Sequence, residues 1–137
     1  MVAKPILQAL VLADHVYTDV QTGKKIIAGT FSRLWTPDFP AKFGRPTYAF
    51  VCLTGLQGDL QIHLRYVDLS ASANEVLMET QPIGVKSQDP LATLELVVEV
   101  PPFPMPHEGT YAFELHAGGE MLGVVRVQAK RLERGDQ

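Results

Sequence analysis

Hydrophobic and polar residues alternate along this sequence with the two-residue period of β-strands. The clearest alternation is in Leu60–Tyr66, where the even-numbered residues are apolar and the odd-numbered residues are polar. The segment Leu91–Val100 has a similar pattern, and turn residues separate such segments throughout the chain. Nothing convincing has the period of an amphipathic helix. We therefore predict an all-β fold, an antiparallel β-sandwich of about eight strands with an immunoglobulin-like, Greek-key style of connection.

Two predicted strands are apolar on both faces. The first is Ile6–Ala13, interrupted only by Gln8, and the second is Thr47–Leu53. Such strands are central, or their second face is covered, because a two-layer sandwich leaves one face of each sheet wet. A second copy of the chain is the simplest cover. We therefore predict a homo-oligomer, most simply a dimer, with an unidentified protein as another candidate partner.

A proline-rich segment, Pro101–Pro106, precedes the strand that begins at Gly109 and contains Tyr111. Prolines cannot donate to a strand ladder, so we interpret the segment as a crossover that ends one strand. The alternative is a polyproline ligand for an aromatic groove. We expect Tyr111 to tie the corner together through a hydrogen bond from its hydroxyl to backbone a few residues upstream.

The longest irregular stretch is Thr36–Pro46, which contains three prolines and a glycine. It carries Phe39 and Phe43 and directly follows Trp35. So much aromatic surface in a loop favours a lid over an open end of the core. A partner-binding loop is the alternative, since exposed apolar patches are uncommon on monomers.

The chain has 137 residues, which fits one domain over residues 1–137 with a disordered tail at about 131–137. The net charge of -3 and the lack of a basic cluster exclude nucleic acid as a partner. No apolar run approaches the ~20 residues of a membrane span. Cys52 is the only cysteine, which favours a reducing, cytoplasmic compartment, and its apolar neighbours favour a buried, inert thiol.

The residues that could carry chemistry form no recognisable catalytic pattern. The four histidines make no local pair, and the sequence has neither a nucleophile elbow nor a phosphate-binding glycine loop. We predict no cofactor and no metal, and the protein is more consistent with a non-enzyme than with an enzyme. Asp14 stands out because it ends a long apolar run. It either accepts backbone N–H groups or acts as a general acid or base.

Several motifs occur together across the chain: Ala13-Asp14, Thr22–Lys24, Ile27–Phe31, Phe39-Pro40, Asp89–Ala92 and Gly109–Leu115. In these motifs the chain resembles a family of small bacterial proteins that is catalogued only as a domain of unknown function. The resemblance covers nearly the whole chain and implies a bacterial, single-domain, sandwich-like protein. It brings no activity, cofactor or catalytic residue with it. The Gly-Thr-Tyr strand is also similar to the corner of immunoglobulin-like folds, although their paired cysteines are absent.

Two hypotheses of function follow. The first is a non-catalytic binding or assembly module that self-associates. The alternative is a small enzyme or ligand-binding sandwich with a site near Asp14, His15 and Asp19 under the Trp35–Phe43 loop, which requires a polar-lined pocket beside Asp14. Neither hypothesis assigns a catalytic, cofactor-binding or metal-binding residue. The candidates for contact with a ligand or partner are Asp14, His15, Asp19, Trp35, Phe39 and Phe43.

Overall fold

The computed structural model describes residues 4–70 and 74–133, which form strands and no helix. The strands are β1 Ile6–Thr18, β2 Lys25–Thr30, β3 Arg33–Thr36, β4 Ala41–Phe43, β5 Thr47–Thr54, β6 Gly58–Asp68, β7 Glu75–Glu79, β8 Ile83–Ser87, β9 Thr93–Val100, β10 Phe103–Met105, β11 Gly109–Ala117 and β12 Glu120–Arg131.

These strands form two main sheets and one small sheet. The first main sheet has four strands in the order β2-β1-β5-β9. The second has six, in the order β3-β12-β11-β6-β7, with β8 also paired to β6. Strands β4 and β10 form a sheet of their own. Neighbouring strands are antiparallel except β3, which runs parallel to β12.

The all-β class and the mostly antiparallel pairing are confirmed. The predicted number of about eight strands is too low, and the parallel pairing of β3 with β12 was not expected. Between β2 and β3 the chain crosses from the first sheet to the second, at Phe31 and Ser32. β4 and β10 lie in the two proline-rich segments and pair with each other, with Phe103 opposite Phe43. Both strands of a two-stranded sheet are edge strands, and edge strands tolerate proline.

The inner faces of the two main sheets enclose one hydrophobic core. Alternating positions supply it, as the period-two pattern requires. The largest fully buried side chains include Leu12, Leu53, Ile62, Leu64, Tyr66, Phe103, Tyr111, Phe113 and Leu115. Strand β10 adds Phe103, whose ring centroid lies 4.9 Å from that of Tyr66 and 5.1 Å from that of Phe113. The proline-rich segment is therefore part of the core and more than a crossover.

Both doubly apolar strands are central in the first sheet, because β1 lies between β2 and β5, and β5 lies between β1 and β9. Leu12 faces the core, so the cross-strand row through Val11, Phe50 and Val97 faces outward. Phe50 is only 7% exposed despite this position. Val97, at the edge strand β9, is 39% exposed, so flanking side chains cover the centre of this row better than its edge.

Cys52 is also on this outer face and is buried, and its Sγ lies 3.5 Å from Oε1 of Gln8. Burial, followed by the nearby charge of Glu95, raises the pKa of the Cys52 thiol. The expected inert thiol is consistent with this environment.

The corner at Tyr111 is confirmed. The Tyr111 hydroxyl donates a hydrogen bond to the carbonyl oxygen of His107 and accepts one from the His107 N–H at 3.2 Å. The predicted tail begins within β12, which ends at Arg131, and residues 134–137 of that tail lie outside the described residues.

Candidate functional site

A groove opens at the seam where the chain crosses between the main sheets. It has a volume of about 340 Å³. We call it the seam groove, and its lining residues are Asp14, Phe31, Arg33, Leu34, Trp35, Phe43 and Arg45. They come from β1, from the crossing segment, from β3 and from the end of the short strand β4 and the residues that follow it. A volume of this size is sufficient for a small molecule.

Asp14 reaches the groove because of a glycine on the neighbouring strand. Gly29 lies opposite Asp14 and has a φ of 77°, a conformation that favours glycine. A Cβ atom at position 29 would lie 2.6 Å from Oδ2 of Asp14. The close neighbour of Gly29 across the strands is therefore the Asp14 carboxylate.

The Asp14 carboxylate is half-buried, and its oxygens do not accept hydrogen bonds from the described backbone. Within residues 4–70 and 74–133 it has no hydrogen bond and no ion pair. A carboxylate saturated by backbone hydrogen bonds, with no cavity beside it, would have excluded a site here. Asp14 meets neither condition.

Two arginines line the same groove. Arg33 begins β3 and Arg45 follows β4, and both are exposed. Neither has an acidic partner within 4.0 Å in the described part of the chain, unlike Arg65, whose Nε lies 2.8 Å from Oε1 of Glu79. With Asp14, the lining carries two positive charges and one negative charge. The groove can therefore attract an anion.

The floor of the groove is aromatic. The Phe31 and Phe43 ring centroids are 6.0 Å apart, and Phe43 stacks on the core residue Phe103 at 5.2 Å. Trp35, the only tryptophan of the chain, is 54% exposed at the rim. An apolar surface with charged groups beside it is the usual composition of a small-molecule site.

His15 and Asp19 lie away from this groove. His15 neighbours Asp14 in sequence, so its side chain lies on the opposite face of β1, where its ring stacks on Tyr17 at a centroid distance of 5.5 Å. The Oδ1 atom of Asp19 accepts a hydrogen bond from the Gln21 N–H at 2.8 Å. Asp19 therefore stabilises the turn after β1.

Phe39 is the third candidate that does not line the seam groove. It packs partly against the core, and the Arg131 guanidinium lies 5.6 Å from its ring centroid. The structure thus brings Asp14, Trp35 and Phe43 together. It adds Phe31, Arg33 and Arg45, which the sequence reasoning missed. The available signal was that Arg33 and Arg45 flank the aromatic stretch, each two residues outside Trp35 and Phe43.

A second polar cluster lies at the Tyr111 corner, where Asp68, His107 and Ser70 suggest a catalytic triad. Nε2 of His107 bonds to the buried Asp68 carboxylate, and Nδ1 bonds to the carbonyl oxygen of Glu108 at 2.9 Å. Both partners are acceptors, so both bonds are satisfied when both ring nitrogens donate, which is the protonated form of the imidazole. The Glu108 carbonyl and then Asp68 raise the pKa of His107. No ring nitrogen remains to activate Ser70, whose Oγ accepts the Thr110 N–H.

His63 and His116 form a stacked pair on the outer face of the second sheet, with centroids 5.4 Å apart. Nε2 of His116 is already bonded to Oε1 of Glu114 at 2.8 Å. Among the described residues, no three His, Cys, Asp or Glu side chains come together as a metal site.

A larger hollow of about 510 Å³ lies over β6 and the edge strand β8. Asp59 and Lys86 are its charged lining residues, and they are cross-strand partners. Their charges offset each other, and the hollow has no aromatic lining, so the seam groove is the stronger candidate.

Comparison with known proteins adds little about activity. No curated protein matches the chain. Among solved structures it is similar to the alkylpurine DNA glycosylase AlkC of Pseudomonas fluorescens, bound to DNA containing an abasic site analogue. The identity is 9%, the TM-score is 0.49, and the match covers 88% of this chain and 30% of the glycosylase chain.

The predicted partners are corrected by this comparison. We predicted a second copy of the chain or an unidentified protein, and excluded nucleic acid and membrane. The exclusion of nucleic acid is withdrawn, since the solved structure found in this comparison is bound to DNA. A TM-score of 0.49 nevertheless assigns no DNA binding to this chain. The described residues include no helix that is long and apolar enough to cross a membrane.

The family comparison covers most of the sequence. The profile of a family of unknown function, DUF6941, matches residues 8–130. The matched region contains every strand that lines the seam groove and the whole Tyr111 corner. The resemblance inferred from the motifs is confirmed, and the chain belongs to the family of unknown function DUF6941.

Proposed function

We propose that the protein is a non-catalytic module that binds a small organic anion in the seam groove. The observation that supports this most directly is the pair of arginines, Arg33 and Arg45, without acidic partners in the described residues and beside the exposed indole of Trp35. A guanidinium presents a planar fork of donors that matches a carboxylate.

The aromatic lining determines what the anion must carry. Trp35, Phe31 and Phe43 offer ring faces and edges to an apolar or planar body. Because Asp14 is in the same groove, the net charge of the lining is about one positive unit, which suits a monoanion better than a dianion. Asp14 can accept a hydrogen bond from a hydroxyl or N–H of the ligand.

The groove supports binding better than catalysis. Asp14 is the one lining residue of the groove with a side chain of the kind that commonly serves as a general acid or base. A general acid–base mechanism usually needs a second such group.

The test uses the single tryptophan. In ¹H–¹⁵N NMR spectra the indole N–H of Trp35 gives one side-chain signal that reports directly on the groove. We expect benzoate to shift this signal in a saturable way, with a dissociation constant of about a millimolar, as befits so small a ligand. Benzamide, its neutral isostere, should bind roughly tenfold more weakly because it cannot form a charged pair with arginine.

Variants assign the effect to the arginines. Arg33→Gln and Arg45→Gln should each weaken benzoate binding by about tenfold, as expected for the loss of a charge-assisted hydrogen bond. Arg126→Gln, an exposed position on the outer face of the second sheet, makes the same change in net charge far from the groove and should have no effect. Equal binding of benzoate and benzamide would refute the proposal.

Three finer statements remain proposals. An immunoglobulin-like arrangement is supported by the Tyr111 corner. A bacterial source is supported by the motifs shared with the family. A cytoplasmic location is supported by Cys52 being the only cysteine.

A further inference from the structure

A second hollow lies beside the seam groove along β1, and the two share the lining residue Phe31. Its volume is about 290 Å³. We call it the apolar trough, and its lining residues are Leu10, Val11, Leu12, Thr30, Phe31, Ser32 and Val125. Phe31 lines both spaces, so its side chain is their common wall.

The trough and the groove differ in chemistry. The trough is lined wholly by uncharged residues, most of them aliphatic, and Leu10 and Val125 are half-buried. The groove carries the three charged residues Asp14, Arg33 and Arg45. Leu10, Leu12 and Asp14 lie in one row along β1, and four strand residues span ~13 Å. A ligand lying along β1 would therefore meet charge at one end and aliphatic surface at the other.

Building on the proposed function, we infer that the ligand is an amphipathic monocarboxylic acid. Its carboxylate lies between Arg33 and Arg45, and its aliphatic tail passes Phe31 into the trough. The net charge of the groove matches a single negative charge. An aliphatic tail in the trough would cover few polar groups, because the only polar lining residues are Thr30 and Ser32 at the exposed rim. It would therefore leave no buried polar group without a hydrogen-bond partner.

A chain-length series tests the tail. The intact protein is titrated with acetate, hexanoate and octanoate, each below its aggregation concentration, while the Trp35 indole signal and the methyl signals of Leu10 and Val125 are followed by NMR. We expect affinity to rise by about fourfold per methylene that enters the trough. Octanoate should shift the Leu10 and Val125 methyl signals, whereas benzoate should not.

A matched pair of substitutions locates the tail. Val125→Thr keeps the shape of the side chain and places a hydroxyl in the trough, so it should weaken octanoate binding by roughly three- to tenfold and leave benzoate binding unchanged. Val124→Thr is the control, because Val124 is exposed and its side chain lies on the opposite face of β12. It should change neither affinity.

The outcomes separate this inference from the proposed function. If benzoate binds and octanoate is no tighter than acetate, the tail assignment is wrong and the proposed function stands. If neither benzoate nor octanoate binds, both fail. If n-octanol binds as tightly as octanoate, or octyl phosphate binds more tightly, the monocarboxylate head is wrong.

Discussion

The hydroxyl of Tyr111 makes a stability prediction that can be worked out from the structure. The Tyr111 side chain is fully buried, and its oxygen accepts the His107 N–H and donates to the His107 carbonyl. Tyr66 provides an internal comparison, since its ring is equally buried but its hydroxyl makes a single bond, to the carbonyl oxygen of Pro104 at 2.9 Å. Burial raises the pKa of both phenols, so both hydroxyls stay protonated.

Phenylalanine at position 111 keeps the ring and removes both hydrogen bonds. A typical bond contributes ~1 kcal/mol net, and a buried group left unsatisfied costs about 1–3 kcal/mol. Water can reach the half-buried His107 backbone, which favours the lower part of this range. We expect Tyr111→Phe to lower the free energy of unfolding by roughly 2 kcal/mol, and Tyr66→Phe by roughly 1 kcal/mol. For a chain of this length the larger loss lowers the melting temperature by about 7 °C.

Urea unfolding followed by Trp35 fluorescence and by circular dichroism measures both variants. The slope of free energy against urea should be unchanged, because neither substitution alters the surface exposed on unfolding. The reasoning is refuted if Tyr111→Phe costs no more than Tyr66→Phe, because the corner would then not depend on the second bond. It is also refuted if Tyr111→Phe is as stable as the parent.

Three further predictions concern the other polar contacts. The raised pKa of His107 means that its bonds to Glu108 and Asp68 stabilise the fold fully below the unfolded-state pKa of about 6.5 and are lost as pH rises through the higher folded-state pKa. The free energy of unfolding should therefore fall as pH rises between these two pKa values. A His107→Gln variant whose free energy of unfolding keeps the same pH slope would contradict this. Gly29→Ala should lower the free energy of unfolding by about 1–3 kcal/mol, because of the positive φ and the contact with Asp14. The loss should exceed that of Gly23→Ala, since Gly23 has a similar φ and open space around it. Urea unfolding measures both variants, and equal losses would show that the contact contributes nothing. Asp14→Asn should tighten benzoate binding by about two- to fivefold, because a negative charge leaves the anion site. Unchanged binding in the same NMR titration would place Asp14 outside the site, and weaker binding would contradict the electrostatic reasoning.

Much of the fold could be predicted because local pattern determined it. Strands β1 and β5 are apolar on both faces, and their central position explains that pattern. The Tyr111 corner depends on residues four apart, so its sequence signature was sufficient. The short strands β4 and β10 were missed because three residues among prolines carry no period, and only their pairing with each other makes them strands. The parallel pairing of β3 with β12 joins distant segments in the same way.

The candidate site was predicted in part, and its errors have a geometric cause. Asp14, His15 and Asp19 were grouped because they are close in sequence. Adjacent strand residues point to opposite faces, so Asp14 and His15 could not share a pocket in a regular strand. Arg33 and Arg45 are twelve positions apart, and the folding of the segment between them, which contains most of β3 and all of β4, brings both to one groove. A pattern of single residues cannot indicate that convergence.

The position of the groove also explains why it can bind with little loss of entropy. The chain must leave the first sheet at Thr30 and enter the second at Arg33, so the sheets cannot close on each other at this seam. The floor is nevertheless fixed, because Phe43 stacks on Phe103 and Phe103 packs against the buried ring of Tyr66. A ligand would therefore order little beyond the exposed side chains at the rim, and most of the ordering cost of a loop-built site would be avoided. This makes the seam a better place for a small-molecule site than the outer face of the first sheet, where Val11, Phe50 and Val97 form a surface without a charged group in their row.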